Sequence, residues 1–503
     1  MTIPPTDELF SRDRMPTLKE RILPWPISDW VYVLAAMVSL AWLIFQMYAG
    51  GFISLTADEF GKASLAWIGL NDPTMWFQHI WLPAHFPLLA AAYVTIGDLL
   101  MASRLVSVLC GFVAIIAIYR LGHYYRDAGV GALAAILMAT SPLTVWLSAT
   151  GLVDILYVAF FVLGFSYYIQ WQRCRGLFAL YIACGLFALS CAFHYNAWLA
   201  VMAVGMLLIY DLLCSSSRER LHGFLGLCIL ALVPVLWCAW NWFAHGDPLD
   251  FLHGHIVSSA PVYEQWGRQT PTVKSSLYYL ASSLLRHGPF LAVLAFISMA
   301  GIVWRPDERQ PLWRIWFVLI FFGGGLIILY ARGGLPTAYP DRYQFLPLVI
   351  MTVLSASVLN GLIYNHERYV KVLGLLLAGI VLLTNLWLTL HYPMNHQNIQ
   401  EASDIADFLE KTVHVQDDSR VLLEGIGWNY GVVGVLLNNP TLIIEAPIEP
   451  TVLLEAEAKT RRFAEKREIR NIGVWSEGSR QRLEKWGLQQ IGQVGRYSFY
   501  TLS

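Results

Sequence analysis

Long apolar runs separated by short polar connections dominate roughly the first 390 residues of the chain. A helix of about 20 mostly apolar residues is long enough to cross the hydrocarbon core of a bilayer. Eleven runs of this kind are centred near residues 40, 112, 140, 162, 185, 205, 232, 293, 322, 353 and 380. The pattern therefore predicts an α-helical polytopic membrane protein with about 11 transmembrane helices.

The basic residues divide unequally between the two sides that this pattern defines. With the N-terminus in the cytoplasm, fifteen Lys and Arg residues fall in cytoplasmic segments and seven in outer segments before the C-terminal domain. Because Lys and Arg accumulate in cytoplasmic loops, we expect a cytoplasmic N-terminal segment (1–28) and a multi-pass domain (29–391) in the cell inner (plasma) membrane. The first run begins near Trp30 and is too long for the apolar region of a signal peptide, which makes it a signal anchor.

The composition changes after residue 391, where charged residues return. Short apolar runs (RVLLEG, PTLIIEAP, RNIGVWSEG and GRYSFYTL) alternate with helical patterns such as VLLEAEAKTRRFAEKREIR. Strands that alternate with helices are typical of an α/β domain. An odd number of spans places this small domain (392–503) on the extracytoplasmic side.

Composition supports the membrane assignment and excludes several classes of function. The chain is 56% hydrophobic and 14% charged, whereas soluble proteins have about 25% charged residues. A net charge of −1 argues against a nucleic-acid partner, which would need a basic face. The seven cysteines form no CxxC pair, so neither a disulfide framework nor a zinc site is indicated.

Polar residues cluster in the first outer loop (50–100), directly after the first apolar run. There the stretch TADEFGKASLAW contains Asp58, Glu59 and Lys62. Charged residues at membrane depth usually mark a functional site. On a helix, Asp58 and Lys62 share a face at i and i+4, so an interfacial ion pair is the alternative interpretation.

Two further outer segments carry charged residues near apolar runs. Asp154 lies in SATGLVDILYVAFF with no basic neighbour within one turn, and a helix cap is its alternative role. The segment ARGGLPTAYPDRYQFLP contains Arg332, Tyr339, Asp341, Arg342 and Tyr343. Arg342 could also anchor a helix end at the lipid headgroups.

Together these side chains suit displacement at a carbon that bears a phosphate leaving group. A carboxylate near an acceptor hydroxyl acts as a general base. An arginine holds phosphate oxygens with its two-pronged guanidinium and stabilises the departing charge. We therefore expect the carboxylates and arginines to converge in one extracytoplasmic cavity.

The motifs resemble those of the GT-C glycosyltransferases, especially the protein O-mannosyltransferases and the aminoarabinose lipid A transferase. TADEFGKASLAW resembles the family's D-E-x-x-x-G/A-K-x-A motif, and AHFPLLA resembles its H-P-P-L motif. SPLTVWLSATGLVDILYVAFF resembles the segment with the second acid, and PDRYQFLPL resembles the R-Y-x-x-P-L-x-P element. One proline of H-P-P-L is replaced, since this chain has His85-Phe86-Pro87, which leaves the role of His85 open.

The resemblance implies a transferase of the hexosyl or pentosyl class with a polyprenyl-phosphate sugar as donor. The acceptor, a glycan, a lipid or a protein, would attack the anomeric carbon with inversion. By this resemblance Asp58 is the catalytic base, and Glu59 and Asp154 orient the acceptor, the sugar or the base. Arg342 is the principal phosphate ligand. The other candidate substrate-binding residues are Lys62, His85, Tyr263, Arg332, Tyr339 and Tyr343.

The second long outer loop (244–276) is polar and longer than a simple connector. Loops of this length without secondary structure are usually functional, so we expect a lid over the sugar, with Tyr263 available for stacking. His253 and His255 could bind a divalent metal together with Asp250 or Glu264. Their spacing is not that of a zinc site, and a loop role is the favoured interpretation.

Three other functions are consistent with parts of the pattern. A lipid-linked glycan ligase or polymerase would need a similar site. A transporter of lipid-linked sugars would also bury charges, but inverted repeats and paired broken helices are not evident. A non-catalytic scaffold would leave Asp58, Asp154 and Arg342 without a role.

Overall fold

A computed structural model describes residues 27–54, 56, 58–77, 81–213, 217–253, 272–300, 306–332, 340–391, 397–412, 420–424, 430–446 and 456–502. A large helical part precedes a small domain built on a β-sheet. The helices of the first part are α1 (Ile27–Ala49), α2 (Asp58–Asn71), α3 (His85–Ile96), α4 (Leu99–Tyr125), α5 (Ala128–Ala139), α6 (Pro142–Ala149), α7 (Asp154–Cys174), α8 (Leu177–Phe193), α9 (Tyr195–Leu213), α10 (Ser217–His245), α11 (Val273–His287), α12 (Pro289–Ser298), α13 (Pro306–Ala331), α14 (Phe345–Ile363) and α15 (Arg368–His391).

The helical part belongs to a multi-pass membrane protein. Within the described residues, eight helices are long and apolar enough to cross a membrane, or ten spans if each of two bent helix pairs counts as one. The apolar helix α8 is shorter, with 17 residues. The eleven run centres predicted from the sequence all fall within these helices and bent pairs.

Proline explains why two of the predicted spans are bent. Helices α5 and α6 meet at 61°, and Pro142 occupies the first turn of α6. Helices α11 and α12 meet at 104°, and Pro289 begins α12 after Gly288. Because proline lacks an N–H group and fits the first turn of a helix, each of these residues starts a new helix in a new direction.

Burial separates the interior helices from those that face outward. Leu156 and Phe161 on α7 and Leu346 on α14 are fully buried. In contrast, Trp42 on α1 and Leu383 on α15 are exposed. Large apolar side chains on the outside of a bundle suit contact with hydrocarbon rather than water.

The C-terminal part is an α/β domain, as the alternating pattern predicted. It contains α16 (Gln397–Thr412), β1 (Arg420–Glu424), α17 (Tyr430–Leu436), β2 (Ile443–Ala446), α18 (Glu457–Lys466), β3 (Ile469–Val474), α19 (Glu477–Lys485), β4 (Gln489–Val494) and β5 (Tyr497–Thr501). The strand order is β2-β1-β3-β5-β4. Strand β1 pairs in parallel with β2 and β3, whereas β5 pairs antiparallel with β3 and β4.

The α/β domain packs directly against α2. Phe60 and Ala63 of α2 share one apolar core with Val432 and Val433 of α17. The Asn438 side chain, just after α17, accepts a hydrogen bond from the backbone N–H of Leu99 at 3.1 Å and donates to the carbonyl of Gly97 at 2.8 Å. The domain is thereby joined to α2 and to the turn between α3 and α4. We call this side of the helical part the α2 end.

Candidate active site

Three charged side chains from distant parts of the chain meet at the α2 end. Asp58 and Asp154 are the first residues of α2 and α7, and Arg342 lies in a 3-10 turn (Pro340–Gln344) just before α14. Arg342 Nη2 donates to Asp58 Oδ2 at 2.7 Å, while its Nη1 lies 4.0 Å from Asp154 Oδ2. One guanidinium therefore lies between two carboxylates that are far apart in sequence.

The two carboxylates differ in their access to solvent. The Asp58 side chain is 28% exposed, whereas that of Asp154 is 0% exposed and that of Arg342 is 5% exposed. Both acids occupy the N-terminal turn of a helix, where the positive end of the helix dipole favours a negative charge. A group arriving from water thus reaches Asp58 first, with Asp154 further inside.

Glu59, the neighbour of Asp58, has a different environment. It is fully buried, and its Oε1 accepts a hydrogen bond from Arg104 Nε at 3.0 Å. Ser54 donates to its other oxygen, and Arg104 also donates to the backbone carbonyl of Ile53. These contacts hold the loop before α2 against α4. They place Glu59 in an ion pair on the α4 side of α2, whereas Asp58 faces Arg342.

Lys62 and His85 add two buried nitrogenous groups near these acids. The Lys62 Nζ atom lies 5.4 Å from the centre of the Trp81 ring. Burial, opposed in part by the nearby Asp58 carboxylate, lowers the pKa of Lys62 to about 8. His85 is 1% exposed, and neither of its ring nitrogens has a hydrogen-bond partner among the described residues.

His194, to which the sequence analysis gave no role, faces Asp154. Its Nε2 atom lies 4.0 Å from Asp154 Oδ1. Its ring packs against those of Tyr157, at 5.0 Å between centres, and Tyr343, at 6.1 Å. Tyr343 also lies beneath the Arg342 guanidinium, 5.6 Å from its Cζ. The only sequence signal for His194 was its position between two apolar runs.

A second polar cluster surrounds Asp341, the residue before Arg342. Its carboxylate accepts hydrogen bonds from Tyr279 Oη at 2.7 Å and from Arg286 Nη1 at 3.0 Å, and His287 Nε2 lies 3.1 Å away. All three partners come from α11. These contacts fix the 3-10 turn that presents Arg342, and sequence reasoning did not identify them.

The remaining candidates are not brought into this cluster. Arg332 is exposed one residue beyond the end of α13, and no ion pair joins it to Asp58 or Asp154 in the described structure. Tyr263 and Tyr339 lie outside the described residues, as does most of the predicted lid.

The histidine-rich loop is described only at its start. His253 Nδ1 lies 2.6 Å from Asp247 Oδ2, and both side chains are exposed. His255 and Glu264 lie outside the described residues. Across the part of the chain that is described, no group of three or more His, Cys, Asp or Glu side chains is arranged to hold a metal ion.

Comparisons with known proteins agree with this architecture. Residues 83–240 match the family described as dolichyl-phosphate-mannose-protein mannosyltransferase. No curated protein is a significant match to the chain in sequence.

Two of the similar solved structures each cover more than nine tenths of the chain. It is similar to ArnT from Cupriavidus metallidurans bound to undecaprenyl phosphate, with a TM-score of 0.62, 12% identity, and coverage of 95% of this chain and 98% of that chain. It is also similar to the oligosaccharyltransferase AglB from Archaeoglobus fulgidus in complex with an inhibitory peptide and a dolichol-phosphate. There the TM-score is 0.55 and the identity 12%, with coverage of 91% of this chain and 70% of that chain. The fold of the chain is therefore of the GT-C type that the sequence motifs resemble.

Proposed function

We propose that the chain is an integral membrane glycosyltransferase that moves a sugar from a polyprenyl-phosphate donor to an acceptor, with inversion at the anomeric carbon. The observation that carries the proposal is the Asp58–Arg342–Asp154 arrangement, which combines a partly exposed carboxylate with a buried cation. Structures with this fold have been solved with undecaprenyl phosphate and with a dolichol-phosphate bound.

In this proposal Asp58 is the catalytic base. Its exposure allows the acceptor to approach from the aqueous side. Its position at the N-terminus of α2 and its hydrogen bond from Arg342 keep the carboxylate ionised and fixed in direction. Asp58 takes the proton from the acceptor hydroxyl while the acceptor oxygen forms a bond to the anomeric carbon.

Arg342 and Lys62 stabilise the leaving group. As the bond between the anomeric carbon and the phosphate oxygen breaks, its electron pair passes to the polyprenyl phosphate. A buried guanidinium lowers the free energy of this developing charge more than an exposed one would, because water does not screen it. The Asp341 cluster on α11 maintains the position of Arg342.

The other residues of the site have supporting roles in this proposal. We assign Asp154 and His85 to the buried side of the substrate site, and Tyr343 to support of Arg342. Glu59 acts indirectly, since its contacts with Arg104 set the position of the loop before α2.

The unequal distribution of basic residues supports an orientation in which the α2 end faces the extracytoplasmic side. A lipid-borne donor and a water-borne acceptor would then meet at the outer surface of the cell membrane. The acceptor is a glycan, a lipid or a protein.

The proposal is tested by incubating the purified full chain in lipid nanodiscs with a panel of polyprenyl-phosphate sugars, with water in place of the acceptor, and measuring release of polyprenyl phosphate and of free sugar. We expect release with at least one donor, and Asp58→Asn should slow it at least about 100-fold. Asp404→Asn, at an exposed acid in the α/β domain, is the matched control and should behave as wild type. Undiminished release by Asp58→Asn would remove Asp58 from the role of base.

A further inference from the structure

Asp154 is a buried acid to which no other described residue donates a hydrogen bond, at either carboxylate oxygen. Its side chain is 0% exposed. Arg342 Nη1 and His194 Nε2 each lie 4.0 Å from the carboxylate, on different oxygens. Because buried polar groups are nearly always paired, this geometry indicates a place for a ligand group.

The backbone determines which nitrogen of His194 carries a proton. The N–H group of Asn196 donates to His194 Nδ1 at 3.0 Å, so that the ring caps the start of α9. A backbone N–H cannot act as an acceptor, and Nδ1 must therefore be unprotonated. The imidazole is then neutral, with its proton on Nε2, the atom that faces Asp154.

A hydroxyl group fits between these two side chains. An oxygen atom placed about 2.8 Å from both His194 Nε2 and Asp154 Oδ1 spans a gap of 4.0 Å without distortion. The hydroxyl oxygen would accept a hydrogen bond from Nε2–H, and the hydroxyl O–H would donate a hydrogen bond to the carboxylate. An ammonium group has only donors, so its N–H groups would point at the Nε2–H proton of His194 with no acceptor between them. Its positive charge would also be repelled by the nearby Arg342 guanidinium.

We propose that Asp154 and His194 bind one hydroxyl group of the donor sugar, and that the preferred donor is a neutral, polyhydroxylated sugar rather than an amino sugar. This inference rests on the proposed function. The subsite is assigned to the donor because Asp154 lies deeper than Asp58 and beside Arg342, the proposed phosphate ligand.

Two substitutions of His194 separate binding from helix capping. The amide of Asn can take the place of Nδ1 and preserve the cap, but it is too short to reach the hydroxyl. The amide of Gln can place an N–H donor near the position of Nε2, at the expense of the cap. We expect His194→Asn to raise the KM for the sugar donor about 10-fold, because one hydrogen bond within a charged site is lost. The KM of His194→Gln should stay within about threefold of the wild-type value.

The experiment measures donor KM, and the affinity for sugar-free polyprenyl phosphate, in the full chain. The affinity for polyprenyl phosphate should not change in either variant, because the lost contact is to the sugar. The same two changes at His222, which pairs with Tyr181 at the opposite end of the helical part, are the matched controls. Impairment by His194→Gln with normal behaviour of His194→Asn would show that His194 only caps α9 and would overturn the proposal.

A series of donors tests the same subsite from the ligand side. Wild type should prefer polyprenyl-phosphate mannose or glucose to polyprenyl-phosphate 4-amino-4-deoxyarabinose. One monodeoxy analogue of the preferred donor should bind at least about 10-fold more weakly, because both hydrogen bonds of the missing hydroxyl are lost. His194→Asn should cause no further loss with that analogue, because the hydroxyl that His194 would contact is already absent. A preference for the amino sugar would contradict the proposed subsite but not the proposed transferase activity. The same conclusion would follow if, for every deoxy analogue, the losses from the analogue and from His194→Asn simply added. Failure to use any donor would overturn both proposals.

Discussion

Asp58 and Arg342 are 284 positions apart in the chain, yet their side chains form a hydrogen bond of 2.7 Å. The contact joins the first residue of α2 to the turn that begins α14. It places the most accessible carboxylate of the site on the same guanidinium that faces the buried Asp154. In our proposal this one arginine therefore connects the base, the leaving group and the sugar subsite.

Asp58 and Glu59 are adjacent, but their neutral amide variants should fail in different ways. We expect Asp58→Asn to lower kcat by about 10²–10⁴-fold, the usual contribution of a general base, with little change in the melting temperature of the purified protein. Glu59→Gln should instead lower the free energy of unfolding by about 3–5 kcal/mol, because it breaks a buried ion pair with Arg104. A stable but inactive Glu59→Gln protein would contradict this division of roles.

The role of Arg342 should depend on the shape of its guanidinium as well as on its positive charge. We expect Arg342→Gln to lower kcat/KM by about 10²–10³-fold, as for loss of one electrostatic contact to a developing charge. Arg342→Lys keeps the charge but not the planar fork, and should recover only part of that loss. The control is Arg368→Gln, at an exposed position at the start of α15, for which kinetics should match wild type.

The titration of Lys62 should appear in the pH dependence of donor binding. Burial lowers its pKa from 10.5 to about 8, so the ammonium loses its proton as the pH rises through about 8 and phosphate binding weakens. Lys62 in the unfolded chain keeps its proton up to pH 10.5. Its effect on the free energy of unfolding is therefore fully unfavourable below pH 8, and the free energy of unfolding rises between pH 8 and 10.5 as this penalty is lost. Donor affinity measured between about pH 6.5 and about pH 9.5, roughly one and a half units to either side of this pKa, tests the first effect.

A matched variant isolates this group. Lys62→Arg stays charged throughout that range, and the decline in affinity should disappear if Lys62 is its cause. The same decline in both proteins would assign the titration to another group.

The close contact between α2 and the start of α7 depends on Gly151. A Cβ atom there would lie 2.5 Å from Ser103 Oγ and 3.1 Å from Glu59 Cγ. We expect Gly151→Ala to destabilise the fold by about 1–3 kcal/mol through overpacking and to displace Glu59 from Arg104. Thermal unfolding measures the effect, with Gly176→Ala as the control because its Cβ would meet nothing within 4 Å. Equal stability of the two variants would contradict the prediction.

The Asn438 side chain should contribute to attachment of the α/β domain. Asn438 has a φ of 53°, which glycine adopts without strain, so Asn438→Gly removes only the amide. We expect a loss of about 0.5–1.5 kcal/mol per hydrogen bond and faster hydrogen exchange of the Leu99 amide. Asn439→Ala, whose side chain accepts a hydrogen bond from the nearby Thr441, should leave that amide protected. Unchanged exchange in Asn438→Gly would exclude this role.

Some of the site could be predicted from sequence because charges stand out against apolar surroundings. Asp154 and Arg342 each border long apolar runs, where an ionised side chain is costly unless it has a function. The same argument identified Asp58. The helical fold followed from run length alone, and the α/β domain from its alternating pattern.

Other contacts could not be predicted because they depend on distances between segments that are remote in sequence. Arg104 resembled an ordinary loop arginine, and its pairing with Glu59 depends on how α4 packs beside α2. His194 and Asp341 gave no spacing signal, since their partners come from other helices. Strand β4 was missed because its sequence, QQIGQV, contains only two of the β-branched residues that favour strands, and one Gly.

The shared core of α2 and α17 has an evolutionary and practical consequence. Phe60 and Ala63 are shielded from water by Val432 and Val433, which lie about 370 positions later in the chain. Shortening the protein to its membrane part would therefore expose one apolar face of α2, the helix that begins with Asp58, to water. Variation in the water-exposed domain is thus constrained by the shape of that face, so that the two parts must change together.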